Sequence, residues 1–208
     1  MAKAQLPYYR RMNKSRFEAF TDSVFAFAST LLILGIALPV LRSPSEPQLR
    51  DALLRLWPNA LSFALSFAVI GIMWQNHHAL FRFVERIDRM TVALNLGLLA
   101  GTVFIPFATS VLGSYPAMRP STFLYGLVLS YCSICYNLLL RHLIRGNAFG
   151  TNLSPARISA SIRAYAVGLA TYLVATLLAL VLPLLSFAAY VAITIYYFVP
   201  QGVDSDSA

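Results

Sequence analysis

From Arg16 to Pro39 the chain reads RFEAFTDSVFAFASTLLILGIALP, with Arg16, Glu18 and Asp22 at its start and then no charge until Arg42. About 20 apolar residues in helical form cross a bilayer core, so this stretch reads as a membrane span with a charged mouth. Four further charge-free runs follow, at 56–81, 90–118, 120–140 and 164–203. The first three hold one span each, and the last is long enough for two. Only 12% of the 208 residues are charged and 58% are hydrophobic, whereas soluble globular chains carry roughly 25% charged residues. The chain is therefore read as a polytopic membrane protein. That excludes a secreted disulfide scaffold, a soluble enzyme and a nucleic-acid binder.

Backbone groups in lipid must satisfy one another, and no segment alternates at period two over ten residues as a barrel strand would, so the spans are helices. The expected class is an all-α integral membrane protein with spans at about 17–40, 53–76, 90–112, 121–141, 163–182 and 185–199. Together, 17–199 form one six-helix transmembrane domain between an N-terminal segment, 1–16, and a tail, 200–208. Pro39, Pro44 and Pro47 close the first helix, Pro58 falls in the first turns of the second, and Pro183 divides the last long run. Residues 154–163 are expected to lie on the membrane surface as an amphipathic helix.

The net charge of +8 is unevenly shared between loops. Lys3, Arg10, Arg11, Lys14 and Arg16 precede the first span, Arg82, Arg86 and Arg89 join the second to the third, and Arg141, Arg145, Arg157 and Arg163 join the fourth to the fifth. The alternate segments carry only Arg42, Arg50, Arg55 and Arg119. By the positive-inside rule both termini are cytoplasmic, and the protein is expected as a multi-pass protein of the cell (plasma) membrane. Ala26-Phe27-Ala28 resembles a signal-peptide processing site but falls inside the apolar core, so the first span is read as retained. Cys132 and Cys135 read as two buried small hydrophobes, because a lone C-x-x-C lacks metal partners.

An ionisable group inside a span costs at least about 2.5 to 3.5 kcal/mol at the helix centre and needs a partner or a purpose. Asp22 lies six residues past Arg16, about 9 Å deeper at 1.5 Å per residue. On the expected topology Arg16, Asp22, Trp74, His77 and Asn95 share one depth, where Asp22 is expected to pair with Arg16 or a histidine. His77 and His78 point about 100° apart and are not read as a metal site. No nucleophile-base pair or phosphate loop is present, so no enzyme is expected. On the first span Ser23, Phe27, Thr30, Leu31, Leu34 and Leu38 form one stripe, which suits either a packing face or a pore.

The segment Arg16-Phe17-Glu18-Ala19-Phe20-Thr21-Asp22 resembles the R-x-x-x-F-S-D signature of the endosomal and lysosomal potassium channels called transmembrane protein 175, with Thr21 for the usual Ser. Val24-Phe25-Ala26 and Thr30-Leu31-Leu32 continue the similarity, as do Trp74-x-x-His77-x-x-x-Phe81, Asn95 and Pro106-Phe107-Ala108-Thr109. The resemblance covers roughly the first 112 residues and is to the bacterial branch of that family. It implies a homotetramer of six-helix subunits whose first helices line a central pore without a Thr-Val-Gly-Tyr-Gly filter. It places Phe27, Leu31 and Leu34 at the constriction, with the hydroxyl of Thr30 beside them and Ser23 on the same stripe. Arg16, Phe20, Thr21, Asp22, Trp74, His77 and Asn95 would form a cytoplasmic-side network holding the pore helix. Phe27 departs from the family's aliphatic residue and would narrow the neck.

The function expected is a potassium-permeable cation channel with no cofactor beyond the permeant K⁺ and no partner beyond its own copies, the bilayer and monovalent cations. A proton-coupled secondary transporter, with Asp22 and His77 titrating, and a non-conducting membrane scaffold remain open beside it.

Overall fold

The computed structural model describes residues 13–41, 45–150 and 154–198. Lys3, Arg10, Arg11, Arg42, Pro44, Asn152 and the tail 200–208 lie outside the described residues. Seven α-helices are present among them: α1 (Lys14–Leu31), α2 (Glu46–Arg55), α3 (Trp57–Arg82), α4 (Arg89–Ser114), α5 (Arg119–Arg145), α6 (Pro155–Leu178) and α7 (Pro183–Phe198). With the 3-10 turn that extends α1, five of them are long and apolar enough to cross a membrane. Helix α7 is apolar but has only 16 residues, about 24 Å of rise.

Sequence chemistry sets the helix ends. Asn13 caps α1 by accepting from the Ser15 N–H at 3.0 Å. Asp88 does the same for α4, accepting from Thr91 N–H at 2.7 Å. Proline stands in the first turn of α2, α3, α5 and α6, where its missing N–H breaks no helical bond. Helix α1 ends earlier than the expected residue 40: it tightens into a 3-10 turn at Leu32–Gly35, and the chain is extended from Ile36. At this point Asn59 donates to the freed Gly35 carbonyl at 3.3 Å, and a Cβ on Gly35 would approach Ser110 Cβ to 3.2 Å. The approach of α4 is thus close at this glycine, and Asn59 satisfies a carbonyl that the ended helix leaves free.

Two other expectations shift. The second span does not end at Asn76; α3 continues to Arg82, because nothing breaks the helix between His77 and Phe81, and Leu80 and Phe81 are buried. Residues 154–163 are not a separate surface helix but the first turns of α6, capped by Ser154 and continuous to Leu178. The loop before the second span contains α2, with Glu46 in its first turn and Arg55 in its last, as the helix dipole favours.

Helix α4 is the centre of the packing, touching α1, α3 and α5, and α6 and α7 close the far side against α5 and α3. The loop after α3 pairs with the linker after α5: Glu85 N–H donates to Ala148 O at 2.8 Å and Gly150 N–H to Phe83 O at 3.0 Å. Two of the arginine-rich segments therefore lie together at one end of the bundle.

Candidate functional site

Helices α1, α3 and α4 are tied together by a chain of polar side chains in an apolar setting. Thr21, His77 and Asn95 are all buried. Asn95 donates through Nδ2 to Thr21 Oγ1 at 2.8 Å, and its Oδ1 lies 2.9 Å from His77 Nε2. An amide that spends its nitrogen on threonine offers only its oxygen to histidine, so the imidazole proton sits on Nε2. The ring is enclosed by aromatics. It stacks on Phe81 with centroids 4.3 Å apart, and Phe25 and Tyr136 stand 5.9 and 6.5 Å away. Every member of this chain has a partner, which is the condition under which a buried polar network rigidifies its surroundings.

Asp22 belongs to a separate tier. It accepts a hydrogen bond from Trp74 Nε1 at 3.0 Å, joining α1 to α3 nearer the surface. Adjacent helical residues diverge by about 100°, so Thr21 and Asp22 reach different neighbours. For the same reason His78 stacks on Trp74, 6.0 Å away, and not on the His77 side. The expected pairing of Asp22 with Arg16 or a histidine is not formed among the described residues. Residues six apart are not neighbours on a helix surface, where only three- and four-residue steps meet. Arg16 and Phe20 are exposed and lie outside both tiers. Among the described residues no group of three His, Cys, Asp or Glu side chains could hold a metal ion.

The opposite face of α1 is bare. Phe17, Thr21, Phe25, Ala28 and Leu32 face the bundle, whereas Ser23, Phe27, Thr30 and Leu34 are exposed and Leu31 is half-buried. Phe27 is 64% and Leu34 73% exposed, high values for large apolar side chains. The hydroxyls on this face donate to their own helix, Ser23 to Ala19 O at 2.7 Å and Thr30 to Phe27 O at 2.8 Å. With their protons so placed, the exposed hydroxyls have lone pairs left to accept.

Sequence reading missed several groups that shape the site. Phe25 and Phe81 stood in the motifs that resemble the family, but nothing in the sequence showed that they, Phe17 and Tyr136 enclose His77. A second buried polar chain runs from Thr109, which donates to Ser66 Oγ at 2.7 Å, on to Tyr125 OH at 3.0 Å from Ser66. Outside the spans, both carboxylate oxygens of Asp88 lie 3.0 Å from His142 Nε2 on α5. Burial works to raise the Asp88 pKa, but hydrogen bonds from Thr91 and His142 outweigh it and hold the carboxyl down at about 2.

The family described as endosomal/lysosomal potassium channel TMEM175 matches residues 16–106, the segment that holds both tiers and the bare stripe. A relative from Streptomyces collinus named a potassium channel is 38% identical over 193 residues, covering 89% of this chain and 92% of its own. The chicken endosomal/lysosomal proton channel TMEM175 is 38% identical over 103 residues, covering 47% of this chain and 21% of its own. The crystal structure of a lysosomal potassium-selective channel TMEM175 homolog from Chamaesiphon minutus superposes with a TM-score of 0.78 at 34% identity, covering 89% of this chain and 96% of that one. With 38% identity to the Streptomyces relative over 89% of its length, a family match over 16–106, and the fold of the Chamaesiphon structure, the chain belongs to the TMEM175 family.

Proposed function

We propose that the chain is a potassium-permeable cation channel of the cell membrane, in which four copies surround a central pore lined by α1. The observation that carries this reading is the division of α1 into two faces. One is locked to α3 and α4 by Thr21, Asn95 and His77, and the other exposes Ser23, Phe27, Thr30 and Leu34 to whatever the copies enclose. Phe27, Leu31 and Leu34 form the constriction, and water and ions leave so narrow an apolar neck until it widens. The exposed hydroxyl oxygens of Ser23 and Thr30, their protons held by their own helix, offer a passing cation oxygen contacts beside that neck. The Asp22–Trp74 bond and the buried chain brace the pore helix and do not line the path. The subunit crosses the membrane six times, α7 being the short sixth span, with both termini cytoplasmic. The pairing of the two arginine-rich segments at one end of the bundle supports that topology.

The test is flux through purified protein in liposomes, with K⁺ and Na⁺ compared under the same gradient. Faster K⁺ than Na⁺ entry is expected. Because animal relatives are named proton channels, the assay includes a pH gradient: flux that saturates and couples stoichiometrically to protons would mark a carrier instead. A stable assembly with no flux would mark a scaffold.

A further inference from the structure

Beside the bracing contacts, α1 and α3 leave a cavity of about 200 Å³ between them. Its lining includes Asp22, Ser29, Phe25, Phe67, Trp74 and Gly71, of which Phe67, Gly71 and Trp74 are exposed. A Cβ built on Gly71, an exposed position, would meet nothing within 4 Å, so helix packing within the subunit does not require this glycine and the space beside it is open. The side-chain donors of these residues are already taken, the Trp74 N–H by Asp22 and the Ser29 hydroxyl by its own helix, so the polar side chains have only acceptors to spare. Asp22 Oδ1 takes the Trp74 N–H at 3.0 Å, and among the described residues no cation pairs with this carboxylate. Ser29 donates its proton to Ala26 O at 2.8 Å, which leaves only lone pairs for the cavity.

One carboxylate and one hydroxyl are too few oxygens to replace the hydration shell of a small metal cation. An organic ammonium needs fewer, because it draws stabilisation from aromatic faces as well as from a single counter-charge. We propose that this cavity binds a small organic ammonium ion, with the positive head beside Asp22 and its alkyl groups against Trp74, Phe67 and the open floor at Gly71. The site is independent of conduction, since binding requires no ion to cross the membrane.

The chain contains two tryptophans, so a Trp57→Phe background leaves Trp74 as the sole reporter inside the cavity. Purified full-length protein in detergent is titrated with tetramethylammonium chloride, sodium chloride holding the ionic strength constant, while Trp74 emission and its quenching by acrylamide are read. Saturable shielding of Trp74 is expected. Asp22→Asn, which keeps an oxygen for the Trp74 hydrogen bond, should weaken it more than tenfold. Gly71→Leu, which fills the free space and leaves the carboxylate in place, should weaken it similarly, and it carries the test alone if Asp22→Asn does not fold. Absence of saturable shielding in the parent protein, as when a second copy already fills the cavity, overturns the proposal. So does an Asp22→Asn or a Gly71→Leu variant that titrates like the parent. Potassium flux in liposomes is measured separately, so failure of this site and failure of the channel reading are distinguishable.

Discussion

Two polar residues of α1, adjacent in sequence, do different work. Thr21 is fully buried and closes a chain with Asn95 and His77, whereas Asp22 is half-buried and holds one hydrogen bond, to Trp74. Leaving a buried partner unpaired costs about 1 to 3 kcal/mol for each group. Asn95→Leu orphans both Thr21 and His77 and is expected to destabilise more than Asp22→Ala, with thermal melts in detergent giving the order. The larger penalty of about 3 to 5 kcal/mol for breaking a buried ion pair does not apply to Asp22, because the ion pair is not formed. At the proposed neck, Phe27 is mostly exposed within the subunit, so truncating it opens no cavity in the fold. Phe27→Ala is therefore expected to raise K⁺ flux, and Leu34→Asn to raise flux with weaker discrimination against Na⁺, since a polar ring replaces the hydration shell of either ion. If both variants instead lower the melting temperature of the assembly and leave permeability unchanged, the stripe is a packing face.

Between elements, close approach and capping set the geometry. Helix α4 presents Gly97 and Gly101, one turn apart, to α5. A Cβ on Gly101 would stand 2.7 Å from Cys132 Sγ and from the Tyr131 ring, whereas one on Gly97 would stay at least 3.6 Å from its neighbours. Gly101→Ala is thus expected to cost about 1 to 3 kcal/mol as the helices part, and Gly97→Ala to be tolerated, in parallel chemical-denaturation curves. The Asp88–His142 clamp joins the start of α4 to the end of α5. Because the folded state holds Asp88 below its ordinary 3.8, at about 2, the unfolded state binds the proton more readily. The stability that Asp88 supplies is complete above pH 3.8 and is lost as pH falls toward 2. The melting-temperature difference between the parent and Asp88→Asn is expected to shrink across that window, and a constant difference would show that the charge contributes nothing.

For the whole molecule, the arrangement of loops makes a topological prediction. The α3–α4 loop and the α5–α6 linker pair through backbone hydrogen bonds and so occupy the same side. Single cysteines at Ser45 and Ser114, both exposed, are expected to label from outside intact cells, and ones at Ser15 and Asn147 are not. The native Cys132 and Cys135 are buried and leave a low background. Labelling of position 147 from outside would refute the orientation.

The helical membrane architecture and the polar set on α1, α3 and α4 were legible in the sequence. Segregation of charge and unbroken hydropathy follow from the energetics of lipid, which act on each span by itself. Asp22, Trp74, His77 and Asn95 stood out because polar groups in apolar runs are costly. Which of them meet was a tertiary decision: the helical step between Thr21 and Asp22 sends one to Asn95 and the other to Trp74, and Arg16 to neither. Likewise the 3-10 turn after α1 ends at Gly35 against Asn59 and Ser110, and the cage around His77 is assembled from Phe25 on α1, Phe81 on α3 and Tyr136 on α5. A local pattern reports what a residue costs in lipid, but its partner is chosen by the packing angle of a helix that lies dozens of residues away in the chain.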